Sequence, residues 1–120
     1  MDMGLEWEQL VVDAHDPHVL GHWWAEALGW IVVDEDEDEV EIRAEEHALP
    51  GLLFGVDPET KTVKNRLHLD FRPEDQAAEV NRLLALGARR ADVGQTEDEP
   101  WVVLADPEGN EFCVLSSRRK

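Results

Sequence analysis

The apolar positions of this chain change their spacing from two to between three and four and back again, and they do so in the same order in each half. The stretch EQLVVDAHDP, Glu8 to Pro17, predicts a strand running into a helix start, with Asp16 as N-cap and Pro17 at the first helical position. In HVLGHWWAEALG the apolar residues Leu20, Trp23, Trp24, Ala27 and Leu28 recur at helical spacing, and Gly29 is placed to end the helix in a left-handed conformation. Arg66 to Gly87, RLHLDFRPEDQAAEVNRLLALG, repeats the plan: a period-two strand, an acidic residue at the turn, and a helix whose stripe is Ala77, Val80, Leu83 and Leu84. Strand-like segments follow each helix, broken by turn signals such as Asp106-Pro107-Glu108-Gly109. Each half therefore predicts a strand, a helix and about three strands, an α+β unit present twice. Module one is expected over about residues 5–57, a linker over about 58–64 and module two over about 65–117, in a single domain of 120 residues.

Composition narrows the functions open to such a domain. The formal charge of −17 repels phosphates and anionic headgroups, which excludes nucleic acid and membrane surfaces as expected partners. A single cysteine, Cys113, cannot build an internal disulfide, and the start MDMGLEWEQL lacks a signal-peptide pattern, so the expected location is cytoplasmic. The acidic run Asp34 to Glu39 lacks the glycine and spaced ligands of a calcium loop and is expected to be a solvated hairpin turn. His18 and His22, four apart, could clamp zinc from one helix face. That face is opposite the apolar stripe, and they are expected in solvent without a third ligand nearby. Trp23 and Trp24 read as core, with one of the two free to reach a subunit interface.

The segments VVLADPEGNEFCVL and VKNRLHLDFRPED, together with the opening DAHDPHVLGHWWAEALGW, resemble the glyoxalase/bleomycin-resistance/extradiol-dioxygenase superfamily, the vicinal oxygen chelate proteins, in a glyoxalase-like subgroup. The resemblance covers nearly the whole chain. It implies two βαβββ modules forming a curved mixed sheet, with helices on the convex side and a concave ligand cavity. It also implies a homodimer, to which five tryptophans in so short a chain add an expectation of apolar surface.

In the metalloenzymes of that superfamily a divalent ion is held by His and Glu from four strands. Carried over by position, the ligand places fall on Gln9, His68 and Cys113, and near Leu53 or Phe54, where the register stays open. A catalytic ion wants about three protein ligands, and a neutral Gln is a poor donor, so no resident metal or other cofactor is expected. Strand alternation turns His68, Asp70 and Arg72 toward the cavity and Leu67, Leu69 and Phe71 away from it. The same parity brings Gln9, Val11 and Asp13 from the first strand and Glu111, Cys113 and Leu115 from the last, with Phe112 and Val114 packed behind. Asp70 and Arg72 could equally be a charge pair. The expected cavity residues are thus Gln9, Asp13, Phe54, His68, Asp70, Arg72, Glu111 and Cys113, with His68 as candidate acid or base. The resulting expectation is a protein that binds a small organic ligand; a small metal-dependent lyase, isomerase or dioxygenase using His68 is the alternative.

Overall fold

Helix α1 (Pro17–Leu28) begins where Asp16 accepts a hydrogen bond from the Val19 amide at 3.2 Å, and ends at Gly29, whose φ of 69° is the left-handed turn that glycine adopts without strain. The computed structural model describes residues 4–57, 63, 65, 67–91 and 99–118. By its internal contacts the chain divides into two units, Met1–Thr60 and Lys61–Lys120. Apart from Val63, the linker expected over 58–64 lies outside the described residues.

Around α1, unit one arranges β1 (Gln9–Ala14), β2 (Ile31–Glu35), β3 (Glu39–Arg43) and β4 (Gly51–Val56) in the order β1-β4-β3-β2. The β1–β4 pair is parallel and the other two pairs are antiparallel. Val40, Ile42, Leu52 and Phe54 point to the helix side, where Leu20, Trp23, Trp24 and Ala27 are buried with them. Burial of each large side chain contributes roughly 1.5–3 kcal/mol. Gly21 lets the helix come this close, since a Cβ there would stand 2.8 Å from Val40 Cγ1. Both tryptophans are buried, edge to face with ring centroids 5.0 Å apart, so neither is free to reach a subunit interface. The acidic run forms the β2–β3 turn: Asp36 Oδ1 accepts from the amides of Asp38 at 2.8 Å and Glu39 at 3.0 Å, while the run itself stays exposed.

Unit two repeats the topology with β5 (Leu69–Phe71), α2 (Gln76–Leu86), β6 (Arg89–Arg90), β7 (Val102–Ala105) and β8 (Glu111–Val114), in the order β5-β8-β7-β6. Each unit is therefore a βαβββ module with a four-stranded mixed sheet, and the fold class is α+β. Asp75 caps α2 through the Ala78 amide at 3.1 Å. The expected stripe is only partly buried. Val80 and Leu83 are in the core, but Ala77 is exposed, because the packed face runs through Gln76 instead. Gln76 Nε2 donates to the carbonyls of Pro100, Val114 and Leu115 at 2.8–3.2 Å, so polar contacts tie the first turn of the helix to the end of β8. Between β7 and β8 the carboxylate of Asp106, 1% exposed, accepts from the amides of Glu108 and Asn110 and from the Asn110 side chain, and Gly109 takes a φ of 88°. These bonds are the physical content of the DPEGN motif.

Candidate functional site

Parallel pairing of β5 with β8 sets Asp70 beside Cys113, with Leu69 opposite Phe112 and Phe71 opposite Val114. Alternation then puts the two chemical side chains on one face and the four apolar ones on the other, where the Phe71 and Phe112 rings meet edge to face at 5.9 Å. His68, one residue before β5, turns its Nε2 to within 3.1 Å of Asp70 Oδ1. One ligand-type atom each from His68, Asp70 and Cys113 lies within 4.8 Å of the others. The cluster is graded in depth: His68 and Asp70 are half-exposed, while the thiol is nearly buried beneath them. Asp70 orients the imidazole and offers a charge, and the thiol adds a soft, weakly polar floor.

The other expected cavity residues divide. Glu111 is half-buried on the Cys113 side of β8 and accepts from the Asn65 amide at 3.4 Å. Arg72 does not pair with Asp70, whose partner is His68. Its Nη1 donates to the carbonyl and hydroxyl of Ser116 at 2.7 and 2.9 Å, in a cleft of about 490 Å³ shared with Ser117 and Arg118. The reason is that β5 stops at Phe71, and beyond it the chain is free to turn toward the exit of β8. In unit one, Gln9 and Asp13 lie on the face of β1 turned away from α1. Phe54 does not join them: it is 1% exposed on the opposite face, against the helix. The register that the sequence leaves open places Leu53, partner of Val11, on the face of Gln9.

That face also carries a charged group absent from the expected set. Arg43, with a side chain 15% exposed, reaches Glu41 Oε2 through Nη2 at 2.7 Å and Nε at 3.1 Å, and Glu8 Oε2 at 3.1 Å. The hydrogen bonds that Arg43 donates to Glu41 are the main cause that holds the guanidinium pKa above its ordinary value, with Glu8 adding to it and burial opposing. Gly51 makes room for it, since a Cβ there would meet Arg43 Cγ at 3.1 Å. The signal was available in the alternation of EVEIR, which sets Glu41 and Arg43 on one side and Val40 and Ile42 on the other.

A family model for the glyoxalase-like domain matches residues 9–115, which spans both modules. The chain belongs to that family. With it the domain joins the glyoxalase/bleomycin-resistance/dioxygenase superfamily, and solved structures agree at the level of fold. A family enzyme from Burkholderia phytofirmans PsJN aligns at 15% identity and a TM-score of 0.71, over 95% of this chain and 100% of that one. A glyoxalase-related enzyme from Fulvimarina pelagi gives 13% identity and 0.68, over 93% and 88%. The bleomycin-binding protein of Streptomyces verticillus, solved with copper(II)-bleomycin, gives 15% and 0.63, over 98% and 100%. No curated protein matches the sequence.

For this glyoxalase-like domain the metal carried by some superfamily members can be tested against the donors present. Of the ligand places carried over by position, His68 and Cys113 hold credible donors. The structure adds Asp70, which makes three donors of types that zinc accepts, all from unit two. On ligand number and chemistry the residues fit such an ion.

Proposed function

We propose that this protein binds a small organic ligand on the β5–β8 face, without a four-ligand metal site. The observation that carries the proposal is the convergence of His68, Asp70 and Cys113, which offers an imidazole, a carboxylate and a thiol to one bound molecule. Ligand capture by the bleomycin-binding relative supports a binding role for the scaffold, although a shared fold does not carry the ligand across. The ligand is expected to be polar and uncharged or cationic where it meets Asp70, because the chain's charge opposes an anion. A cytoplasmic homodimer completes the reading. Among the described residues no helix is long and apolar enough to cross a membrane.

Native mass spectrometry of the untagged protein after exposure to a cell metabolite extract tests this. A retained small molecule should bind at least about tenfold more weakly to His68→Ala and Asp70→Asn. Unchanged binding in both variants would remove the site from this face.

The second reading, a metal-dependent lyase, isomerase or dioxygenase, is favoured by Asp70 as third donor. A divalent ion there would supply Lewis-acid polarisation of a bound oxygen, with His68, Asp70 and Cys113 as its holders. One equivalent of metal per purified chain, lost in Cys113→Ser, would move the conclusion to this reading.

A further inference from the structure

We infer that the cleft at the ends of β5 and β8 is a binding site for a carboxylate, the acidic group of a small organic molecule. Arg72, Ser116, Ser117 and Arg118 line it, around a volume of about 490 Å³. The chain has 28 acidic residues against 11 basic ones, so composition by itself predicts an acidic lining. This lining instead holds two arginines, two serines and no carboxylate.

Pro73 opens the cleft. The β5–β8 pairing ends with the bond from the Leu115 amide to the Phe71 carbonyl at 2.8 Å, and Pro73 has no N–H with which to continue a ladder. Its carbonyl accepts from the Arg118 amide at 2.8 Å, which keeps residues 116–118 beside the turn into α2. Ser117 Oγ accepts from the amide of Gln76, the first residue of α2, also at 2.8 Å. The segment that carries both serines and Arg118 is thus tied at two points to the chain that carries Arg72.

The hydrogen bonds within the cleft leave it rich in donors. Arg72 Nη1 donates to the Ser116 carbonyl and hydroxyl, which holds the guanidinium plane and leaves Nε and Nη2 as the edge on which an arginine takes a carboxylate through two parallel hydrogen bonds. Ser116 Oγ accepts from Arg72 and Ser117 Oγ from Gln76, so each hydroxyl keeps its own hydrogen to donate. A ligand that satisfies these groups brings acceptors and negative charge. The carboxylates nearby in sequence are engaged: Glu74 Oε1 lies 3.5 Å from Arg118 Nε, Asp75 caps α2, and Glu79 pairs with Arg82 at 2.8 Å. The charge of −17 opposes a dianion about twice as strongly as a monoanion, which favours a carboxylate over a phosphate. None of the four lining residues belongs to the His68 cluster, and the inference does not rest on the ligand proposed there.

Titration of the untagged full chain with para-fluorobenzoate, followed by fluorine NMR, tests the site. The neutral para-fluorobenzamide has nearly the same shape, and inorganic phosphate serves as competitor. The expected result is saturable binding of the benzoate with a Kd of about 1 mM or tighter, no saturation by the amide in that range, and affinity lowered at least about fivefold in Arg72→Gln. Arg90→Gln, which removes an exposed guanidinium from β6, should leave the affinity unchanged. Arg72 is exposed, and circular dichroism of its variant should match the parent; Arg118→Gln serves in its place if it does not. The inference is overturned if the benzoate does not saturate, if the amide binds equally well, or if phosphate binds more tightly than the benzoate. Undiminished binding in Arg72→Gln, or loss of binding in His68→Ala, would also overturn it, the latter by placing the benzoate on the other site.

Discussion

Asp106 is a buried carboxylate given over to architecture. It stands in the turn that the sequence marks before the last strand, and both its oxygens are spent on that β7–β8 turn. Asp106→Ala leaves the half-buried amides of Glu108 and Asn110 without this acceptor, and the expected cost is about 1–3 kcal/mol in urea denaturation. A loss under about 0.5 kcal/mol would show that water replaces the carboxylate there. Cys113 is the opposite case, a nearly buried side chain that still borders two half-exposed polar groups. Cys113→Ser should keep the fold at a cost on the order of 1–2 kcal/mol, since a hydroxyl replaces a small hydrophobe. A cost above about 4 kcal/mol in the same denaturation experiment would mean that the thiol is mainly core.

At the scale of elements, close approach is decided by the glycine in the middle of α1. Alanine at position 21 would gain about 1 kcal/mol of helix propensity. Its Cβ would also stand 2.8–2.9 Å from Val40 and 3.3 Å from the Phe54 ring, against strands that cannot retreat without breaking the β3–β4 ladder. Overpacking is expected to win, so Gly21→Ala should be less stable by about 1–2 kcal/mol net, read as a lower melting temperature. A raised melting temperature would show that the helix can lift from the sheet. A bulge in β2, between Val32 and Asp34, belongs to this scale too: one inserted residue changes which face the Glu35 carboxylate occupies, a consequence that no individual side chain carries.

At the scale of the whole molecule the open questions are charge and association. Val11 is 55% exposed on the face of β1 turned away from α1, beside half-buried Leu53, and Ile31 of β2 is 47% exposed next to its β3 partner Arg43. Apolar side chains on a sheet face without a helix are suited to a second copy of the chain. Sedimentation equilibrium at moderate salt should therefore give a dimer at micromolar concentration, and Val11→Glu should shift it toward monomer. A monomer across that range would refute the association. Low salt would bias the result, because a charge of −17 on each copy is then poorly screened.

What the sequence determined by itself is local and periodic. Asp16, Pro17 and Gly29 specify the ends of α1, alternation in RLHLDF and EFCVL specifies which side chains share a face, and the repetition of both patterns specifies two modules. Those signals operate within a few residues, through backbone sterics and the period of each element. The tertiary structure decided what depends on register between distant strands and on where each strand stops. It set Leu53 rather than Phe54 beside Gln9, it gave Asp70 to His68 rather than to Arg72, and through a bulge it brought Glu35 to His18 and His22. Register is fixed by burial summed over a whole ladder, so a shift of one residue reverses every side chain while leaving the local pattern unchanged.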